Sequence, residues 1–550
     1  MKKNNEWYHE YEPAPEYSKR VAYFSMEFAI HQALKIYSGG LGFLAGSHMR
    51  SGFELKQNMV GIGMLWKYGY YDQERHANRT MEVRFQKKFY NFLQETGIKV
   101  PVYIDRSLVY VKALYLPSHV FNTVPMYFLT TDIPENDYLA RTITHRLYDP
   151  DPSARIAQNI ILGVGGAKVV DAIGGADIYH MNEGHALPLA FHLYSKYHSL
   201  HEVQSKVVFT THTPEKAGNE EHHIAMLEKM GFFSYLPIEQ VRQITGVKGD
   251  MFSHTLVALR MAKIANGVSK LHGEVSREMW LGNEGICEIS HITNAQNQKY
   301  WQDFSIAKAI KEGNDEALVR RKKQLKEYLF DDVANQTGKL FDKDVLTIVW
   351  SRRFAEYKRA DLMFRDMDRF AALIKSKDRP VQFIWAGKPY PLDTGAINIF
   401  NNIMGTIEKV PNCAVLTGYE LHLSKMLKRG ADVWLNTPRI FREASGTSGM
   451  TASMNAAINF SIADGWVPEF AEHGKNSFVI PPIDGKTLPI HEQDRLDCKN
   501  MYDILENEII PMYYEQPDKW LAMMKENVKN ITPFFGSNRM ADEYYKLYSK

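Results

Sequence analysis

Short, continuously apolar, β-rich segments recur along this chain, separated by longer stretches with helical periodicity. RVAYFS at 20–25, ADIYH at 176–180 and KVVFTT at 206–211 each end in small or polar residues. Between them, 153–173 and 186–198 carry the i, i+3, i+4 pattern of helices. The alternation restarts at VLTIVW (345–350) and continues through VQFIWA (381–386), 413–416 and ADVWL (431–435). Strands this short and uninterrupted in their apolarity are buried on both faces, which requires parallel sheets covered by helices. The class is therefore α/β, in two series, and open parallel sheets bind ligands at the carboxyl ends of their strands.

At 550 residues the chain is long enough for two substantial domains. Lys and Arg number 66 against 64 Asp and Glu, a net charge of +2, so no global field is set to hold nucleic acid or an anionic membrane. The basic run LVRRKKQLKEYLF, in the helical stretch about 300–340, reads as the solvated face of a helix. Cys287, Cys413 and Cys498 lie far apart, as reduced thiols do in a cytosolic chain. The lysines near the N-terminus have no apolar run behind them. The longest apolar candidate, 159–172, is broken by three glycines and Lys168, well short of the ~20 residues a membrane helix needs. A cytoplasmic location is expected. The last thirty residues, with Trp520, Met523, Met524, Tyr544 and Tyr545, read as a helix packing back on the body.

Three constellations carry candidate chemistry. In Tyr37-Ser-Gly-Gly-Leu-Gly-Phe-Leu-Ala-Gly46, clustered glycines let backbone N–H groups approach an anion at a helix start, although a tight strand-to-helix turn uses the same residues. The similar Gly163-Val-Gly-Gly166 lies inside a helical pattern and reads as helix packing. In Ser351-Arg-Arg-Phe-Ala-Glu-Tyr-Lys-Arg359, four cations follow a buried strand; Arg353 and Lys358 suit a phosphate, the alternative being an ion-pair cluster around Glu356. In Arg442-Glu-Ala-Ser-Gly-Thr-Ser-Gly-Met-Thr451, small residues flank Glu443 at a helix start, where a carboxylate can accept hydrogen bonds from sugar hydroxyls; a plain N-cap loop has the same composition. Asn182-Glu-Gly-His185 and Thr211-His212-Thr-Pro214 also end strands, a common place for ligand contacts. Adjacent histidines such as His222 and His223 seldom chelate one ion together, and no metal is expected.

Taken together these segments resemble the α-glucan (glycogen, starch, maltodextrin) phosphorylase family, in its short bacterial branch. The matching runs are VAYFSMEFAIHQALKIYSGGLGFLAG (21–46), MNEGHA (181–186), THTPEKAG (211–218), NGVSKLHGEVSREMW (266–280), SRRFAEYKRADLMF (351–364) and ADVWLNTPRIFREASGTSGM (431–450). The resemblance implies a GT-B fold, two Rossmann-like domains facing across a central cleft. It implies an acceptor domain over 1–293, a donor domain over 294–520 and the C-terminal helix over 521–550. It implies retaining glucosyl transfer on α-1,4-glucan or maltooligosaccharide through an oxocarbenium-like state, and a homodimer. Residue by residue, Gly39, Gly40 and Leu41 would cradle phosphate through their amides, and Arg353 and Lys358 would bind the donor phosphate. Arg352, Ser445, Gly446, Thr447 and Thr451 would line the cofactor side. Glu443 would bind glucose hydroxyls beside Ala444, His212 would offer its main-chain carbonyl, and Asn294 and His185 would contact the sugar.

Two departures matter. The family carries a lysine after the methionine of the third motif, the residue that forms an imine with pyridoxal phosphate, whereas this chain has Thr451. A hydroxyl cannot form an imine, so covalent attachment there is excluded. In the related glycogen synthases the same position is a second glutamate, so Thr451 fits neither pattern. After Asn294 the family's Gly-Val is replaced by Ala295-Gln296. Three readings result: a hexosyltransferase using a nucleotide-sugar or sugar-phosphate donor without covalent cofactor, a true phosphorylase holding pyridoxal phosphate non-covalently, and a glucan-binding protein on an impaired scaffold.

Overall fold

The computed structural model describes residues 9–550. By internal packing the chain forms two units. One comprises the residues up to Tyr71, Phe85–Thr293 and Ser537–Lys550; the other comprises Asp72–Arg84 and Asn294–Gly536.

In the first unit nine strands make one sheet: β1 (Val21–Phe24), β2 (Met59–Met64), β3 (Gln94–Ile104), β4 (Ser107–Leu116), β5 (Met126–Thr130), β6 (Ile178–Asn182), β7 (Val207–Thr210), β8 (Ile264–Gly267) and β9 (Glu288–His291). Their order is 9-8-7-6-1-2-5-4-3. Strands 9 through 5 in that order are parallel. Every residue of β1, β2, β5, β6, β7 and β8 is buried, which is why their sequences are apolar without alternation. The winding reverses at β1, whose two neighbours are β2 and β6. Strands β3 and β4 depart from the all-parallel expectation. They form an antiparallel edge hairpin with one half-exposed face, turned through Asp105 and Arg106 at φ +46° and +63°.

The glycines at 163–166 sit in a continuous helical stretch from Pro152 to Ala172, with a π-type turn over Ile161–Gly165. A Cβ at Gly163 would lie 2.8 Å from Ala186 O, and one at Gly166 would lie 2.7 Å from Phe24. They are packing glycines.

The second unit holds six parallel strands: β10 (Leu346–Ser351), β11 (Val381–Ala386), β12 (Cys413–Leu416), β13 (Val433–Asn436), β14 (Ile458–Ile462) and β15 (Ser477–Ile480). Their order, 12-11-10-13-14-15, is that of a doubly wound dinucleotide-binding sheet. Both units are thus Rossmann-like α/β layers. Among the described residues no helix is long and apolar enough to cross a membrane.

Two expectations need correction. The basic run lies on helix Asp315–Thr337, but its face is not wholly solvated: Lys322 and Lys326 are buried. Lys322 Nζ donates to Arg429 O and Asn455 O, both at 2.9 Å, and Lys326 Nζ donates to Val345 O and pairs with Asp432 at 2.5 Å. These amines satisfy carbonyls and a carboxylate that burial would otherwise strand. The C-terminal stretch is two helices, Pro517–Phe535 and Ser537–Ser549, parted at Gly536. The last one packs within the first unit, where Gln57 Nε2 donates to Ala541 O (3.0 Å) and the Tyr548 hydroxyl lies 2.7 Å from His180 Nδ1.

Candidate active site

In the second unit the strand order reverses between β10 and β13, and the loops leaving their carboxyl ends carry the two polar motifs. Arg352 follows β10 directly and is buried. Its carbonyl is crossed closely by Gly387, at φ +148°, where a Cβ would fall 1.8 Å from Arg352 O. Only glycine allows that approach. From this position Arg352 Nη2 reaches Glu443 Oε2 at 2.7 Å, and Lys358 Nζ meets the same oxygen at 3.0 Å.

The Glu443 loop is held by Asp464, whose Oδ2 accepts the N–H groups of Arg442 (3.0 Å) and Glu443 (2.9 Å). Gly446 then turns the chain at φ +85°, where a Cβ would press to 3.0 Å from Arg352 Nη2. Burial acts to raise the Glu443 carboxyl, but Arg352 and Lys358 outweigh it, with Arg353 adding to them, and hold it at about 2. Asp464 goes the other way: burial pushes it up to about 7 against its backbone hydrogen bonds, and the Glu443 charge adds to the rise. One carboxylate held ionised by the cations around it, on a loop fixed by a second carboxylate through its backbone, leaves positive charge and an acceptor together.

The remaining candidates of this unit are spread along the chain, Ala444 to Thr447 on the Glu443 loop, Arg353 after β10 and Asn294 at the start of the unit. Arg353 is exposed. Ala444 and Ser445 are buried, and Ser445 Oγ meets no partner among the described residues. Thr447 precedes helix Ser448–Ser453, which is only six residues long. Asn294 is buried, and its Oδ1 has no partner among the described residues. Glu356 does join an ion-pair cluster: its exposed carboxylate lies 3.5 Å from Arg439, which shares Asp494 with Arg359, while Lys358 turns instead to Glu443.

In the first unit the switch point lies between β1 and β6. Helix Gly40–Glu54 starts inside the glycine run, with Gly39 as its N-cap. A Cβ at Gly39 or Gly40 would meet nothing within 4 Å, whereas at Gly46 it would fall 2.1 Å from Ala29 O. The early glycines leave space and the later one packs. The amide of Gly39 is not available as expected: Glu27 Oε2 accepts the N–H groups of Ser38 (2.6 Å) and Gly39 (3.1 Å), and Tyr148 Oη donates to Oε1 at 2.7 Å. A carboxylate inside the chain already fills that part of the cradle. The first-turn amides of Gly40 and Leu41 remain at the helix start.

At the end of β6, Glu183 takes φ +73°, a left-handed backbone for a side-chain-bearing residue. Its Oε2 accepts the His212 N–H at 2.7 Å, and burial pushes its carboxyl up to about 7. His212 Nε2 lies 2.8 Å from Asn182 Oδ1, and burial drives its imidazole down to about 3, so it is neutral. His185 is held down to about 4 by burial and then by Arg155, and its Nδ1 is buried without a partner among the described residues. Sequence reasoning passed over Glu27, Glu183 and Asp464. The strand-end Asn-Glu-Gly-His gave a signal for Glu183; nothing local marked the other two. His222 pairs with His254 at 3.0 Å, and Glu220 with Arg155 at 3.5 Å.

Residues 247–503 match the family described as carbohydrate phosphorylase. Over 602 residues the chain is 33% identical to a maltodextrin phosphorylase of Thermococcus litoralis, spanning 98% of this chain and 71% of that protein. The chain belongs to the α-glucan phosphorylase family. It is accordingly an enzyme, a glycosyltransferase. A glycogen phosphorylase of Aquifex aeolicus is 33% identical over 608 residues, spanning 97% of this chain and 87% of that protein. An uncharacterised protein of Methanocaldococcus jannaschii is 48% identical over 532 residues, spanning 96% of this chain and its own full length.

The side chain at position 451, where the family carries its imine-forming lysine, is a threonine. That residue is wholly buried, its hydroxyl donates to Ser448 O at 3.0 Å, and its carbonyl accepts Asn455 Nδ2 at 2.8 Å. The side chain has no amine and its hydroxyl is already committed within its own helix.

Proposed function

We propose that this enzyme is a retaining hexosyltransferase of GT-B type that acts on α-1,4-glucans, works without covalently bound pyridoxal phosphate, and takes a nucleotide-sugar or sugar phosphate as donor. The observation that carries the reading is the meeting of Arg352, Lys358 and Glu443 at the switch point of the second sheet, in a chain whose Thr451 offers no amine.

In the proposed reaction the bond from the sugar C1 to the phosphate oxygen breaks, leaving positive charge on the ring and negative charge on the phosphate. Lys358, with Arg353 and Arg352, holds the departing anion; fixed cations in a dry site cost no reorganisation when charge develops. Glu443, ionised at any working pH, accepts hydrogen bonds from the sugar hydroxyls. The acceptor hydroxyl attacks C1 from the face the phosphate left and gives its proton to that phosphate, which balances the step. A nucleotide-sugar brings its own second phosphate to the cationic loop.

The test is donor-dependent incorporation of glucose into a maltooligosaccharide by protein free of pyridoxal phosphate. Turnover with a nucleotide-glucose supports the reading; none with any nucleotide-glucose or sugar phosphate removes it. A second reading, favoured by the names of the relatives, is a phosphorylase that holds pyridoxal phosphate non-covalently. It requires glucose 1-phosphate release from glycogen and phosphate, stimulated by added cofactor.

A further inference from the structure

The second unit carries a cavity whose lining includes none of the motif residues described above. It has a volume of about 260 Å³ and lies between the hairpin Asp72–Arg75/Met81–Arg84, the end of helix Asp315–Thr337, helix Thr394–Thr406 and the edge strand β12. Its walls include Arg75, His76, Arg79, Lys339 and Glu408. Two arginines and a lysine, whose cation burial disfavours, face one carboxylate there, so positive charge stands in excess among the lining residues described.

The three cations differ in what they have left to give. Lys339 Nζ donates to Ile407 O, Val410 O and Cys413 O, each at 2.8 Å, which uses all three of its protons and fixes its charge in place. Arg79 spends Nη1 on Glu408 at 3.1 Å. Arg75 donates one Nη2 bond to Val415 O, while its Nε is buried with no acceptor among the described residues. Burial and then the Arg79 charge both act against the Arg75 cation, and among the described residues no carboxylate is paired with it. A buried guanidinium nitrogen without an acceptor is costly, and a native chain rarely keeps one without a ligand or water to meet it.

We propose that this cavity is a second anion site, separate from the transfer chemistry, that takes a compact phosphate-bearing ligand such as an inorganic phosphate or a small phosphate monoester. The excess positive charge matches a phosphate dianion better than a single carboxylate. The guanidinium forks of Arg75 and Arg79 suit its planar pairs of oxygens, with Lys339 supplying a fixed background charge. The volume lies just below the roughly 300–1,000 Å³ of pockets for drug-sized ligands, which limits the occupant to the phosphate and about one ring.

The test is calorimetric titration of inorganic phosphate into the full-length Arg353→Gln variant, in which the proposed donor-phosphate contact is weakened. One phosphate per chain is expected to bind. Adding Arg79→Gln, an exposed position whose loss leaves the fold intact, should weaken that binding at least fivefold. Arg75→Gln should weaken it at least tenfold, with circular dichroism checking that the variant is folded. Absence of phosphate binding in the Arg353→Gln protein, or affinity unchanged by Arg79→Gln, overturns the proposal.

Discussion

Arg352 Nη2 sits 2.7 Å from Glu443 Oε2, with Arg352 buried and Glu443 only about a tenth exposed. Breaking a buried ion pair by removing one partner typically costs about 3–5 kcal/mol, because the remaining charge is left without compensation. Glu443→Gln should therefore lower the unfolding free energy by about 3 kcal/mol, read from urea midpoints at constant slope. The same variant should bind phosphate more tightly, since the internal carboxylate no longer competes for Arg352 and Lys358, while glucosyl transfer falls at least a hundredfold. A loss below about 1 kcal/mol would mean that water compensates the pair.

Gly387 sets where Arg352 can be. A methyl group there would lie 1.8 Å from the Arg352 carbonyl oxygen at a φ of +148°. Gly387→Ala should cost at least about 3 kcal/mol, as backbone strain and overpacking add. Transfer activity should fall with it even below the melting transition. Full activity in the alanine variant would show that the Arg352 position is not what the loop chemistry needs.

The Asp464 carboxyl is raised to about 7, so the folded chain holds its proton after the unfolded chain, near 3.9, has lost it. Its contribution to stability is thus full below about pH 4 and is lost as pH rises towards 7, at about 1.4 kcal/mol per unit at most. Glu443 has the opposite sign: depressed to about 2, it contributes above about pH 4.3 and loses that contribution as pH falls through 2. Urea unfolding of wild type and Asp464→Asn across pH 4.5–8 should give difference curves that slope through this window. Parallel curves would place the Asp464 proton elsewhere.

Thr451 supplies a direct check on the cofactor. Wild type mixed with pyridoxal phosphate and reduced with borohydride should gain no pyridoxyl mass in the peptide containing residue 451, whereas Thr451→Lys should gain one group. A buried pyridoxyl group on another lysine of the wild type would contradict the reading that no covalent cofactor is used. Lys428, wholly buried with Nζ 3.9 Å from the Trp301 ring centroid, would be the residue to map first.

Much of this was legible in the sequence because burial writes itself into apolar runs. VQFIWA is strand β11 residue for residue, and 413–416 is strand β12. The polar motifs were legible for a related reason, since cations and small residues directly after a buried strand have few structural uses. What escaped depends on partners distant in sequence. Glu27 closes on the glycine loop, Asp464 holds Glu443 from 21 residues away, and Lys322 satisfies carbonyls of Arg429 and Asn455. None of these carries a local pattern. The β3–β4 hairpin was missed because Asp105-Arg106 takes left-handed angles without the usual glycine. Gly536 divides the C-terminal helices between the units, which periodicity alone cannot express.

The most direct measurement is glucosyl transfer to a maltooligosaccharide from a panel of nucleotide-glucose and glucose-phosphate donors, by cofactor-free wild type and Lys358→Gln side by side. Loss of one preorganised charge-stabilising donor typically costs about 10²–10³ in rate. The expected result is transfer by wild type with at least one donor and a drop of about a hundredfold or more in the variant. Equal rates in the two proteins, or transfer that appears only when pyridoxal phosphate is added, would contradict the claim that these cations alone carry the leaving anion.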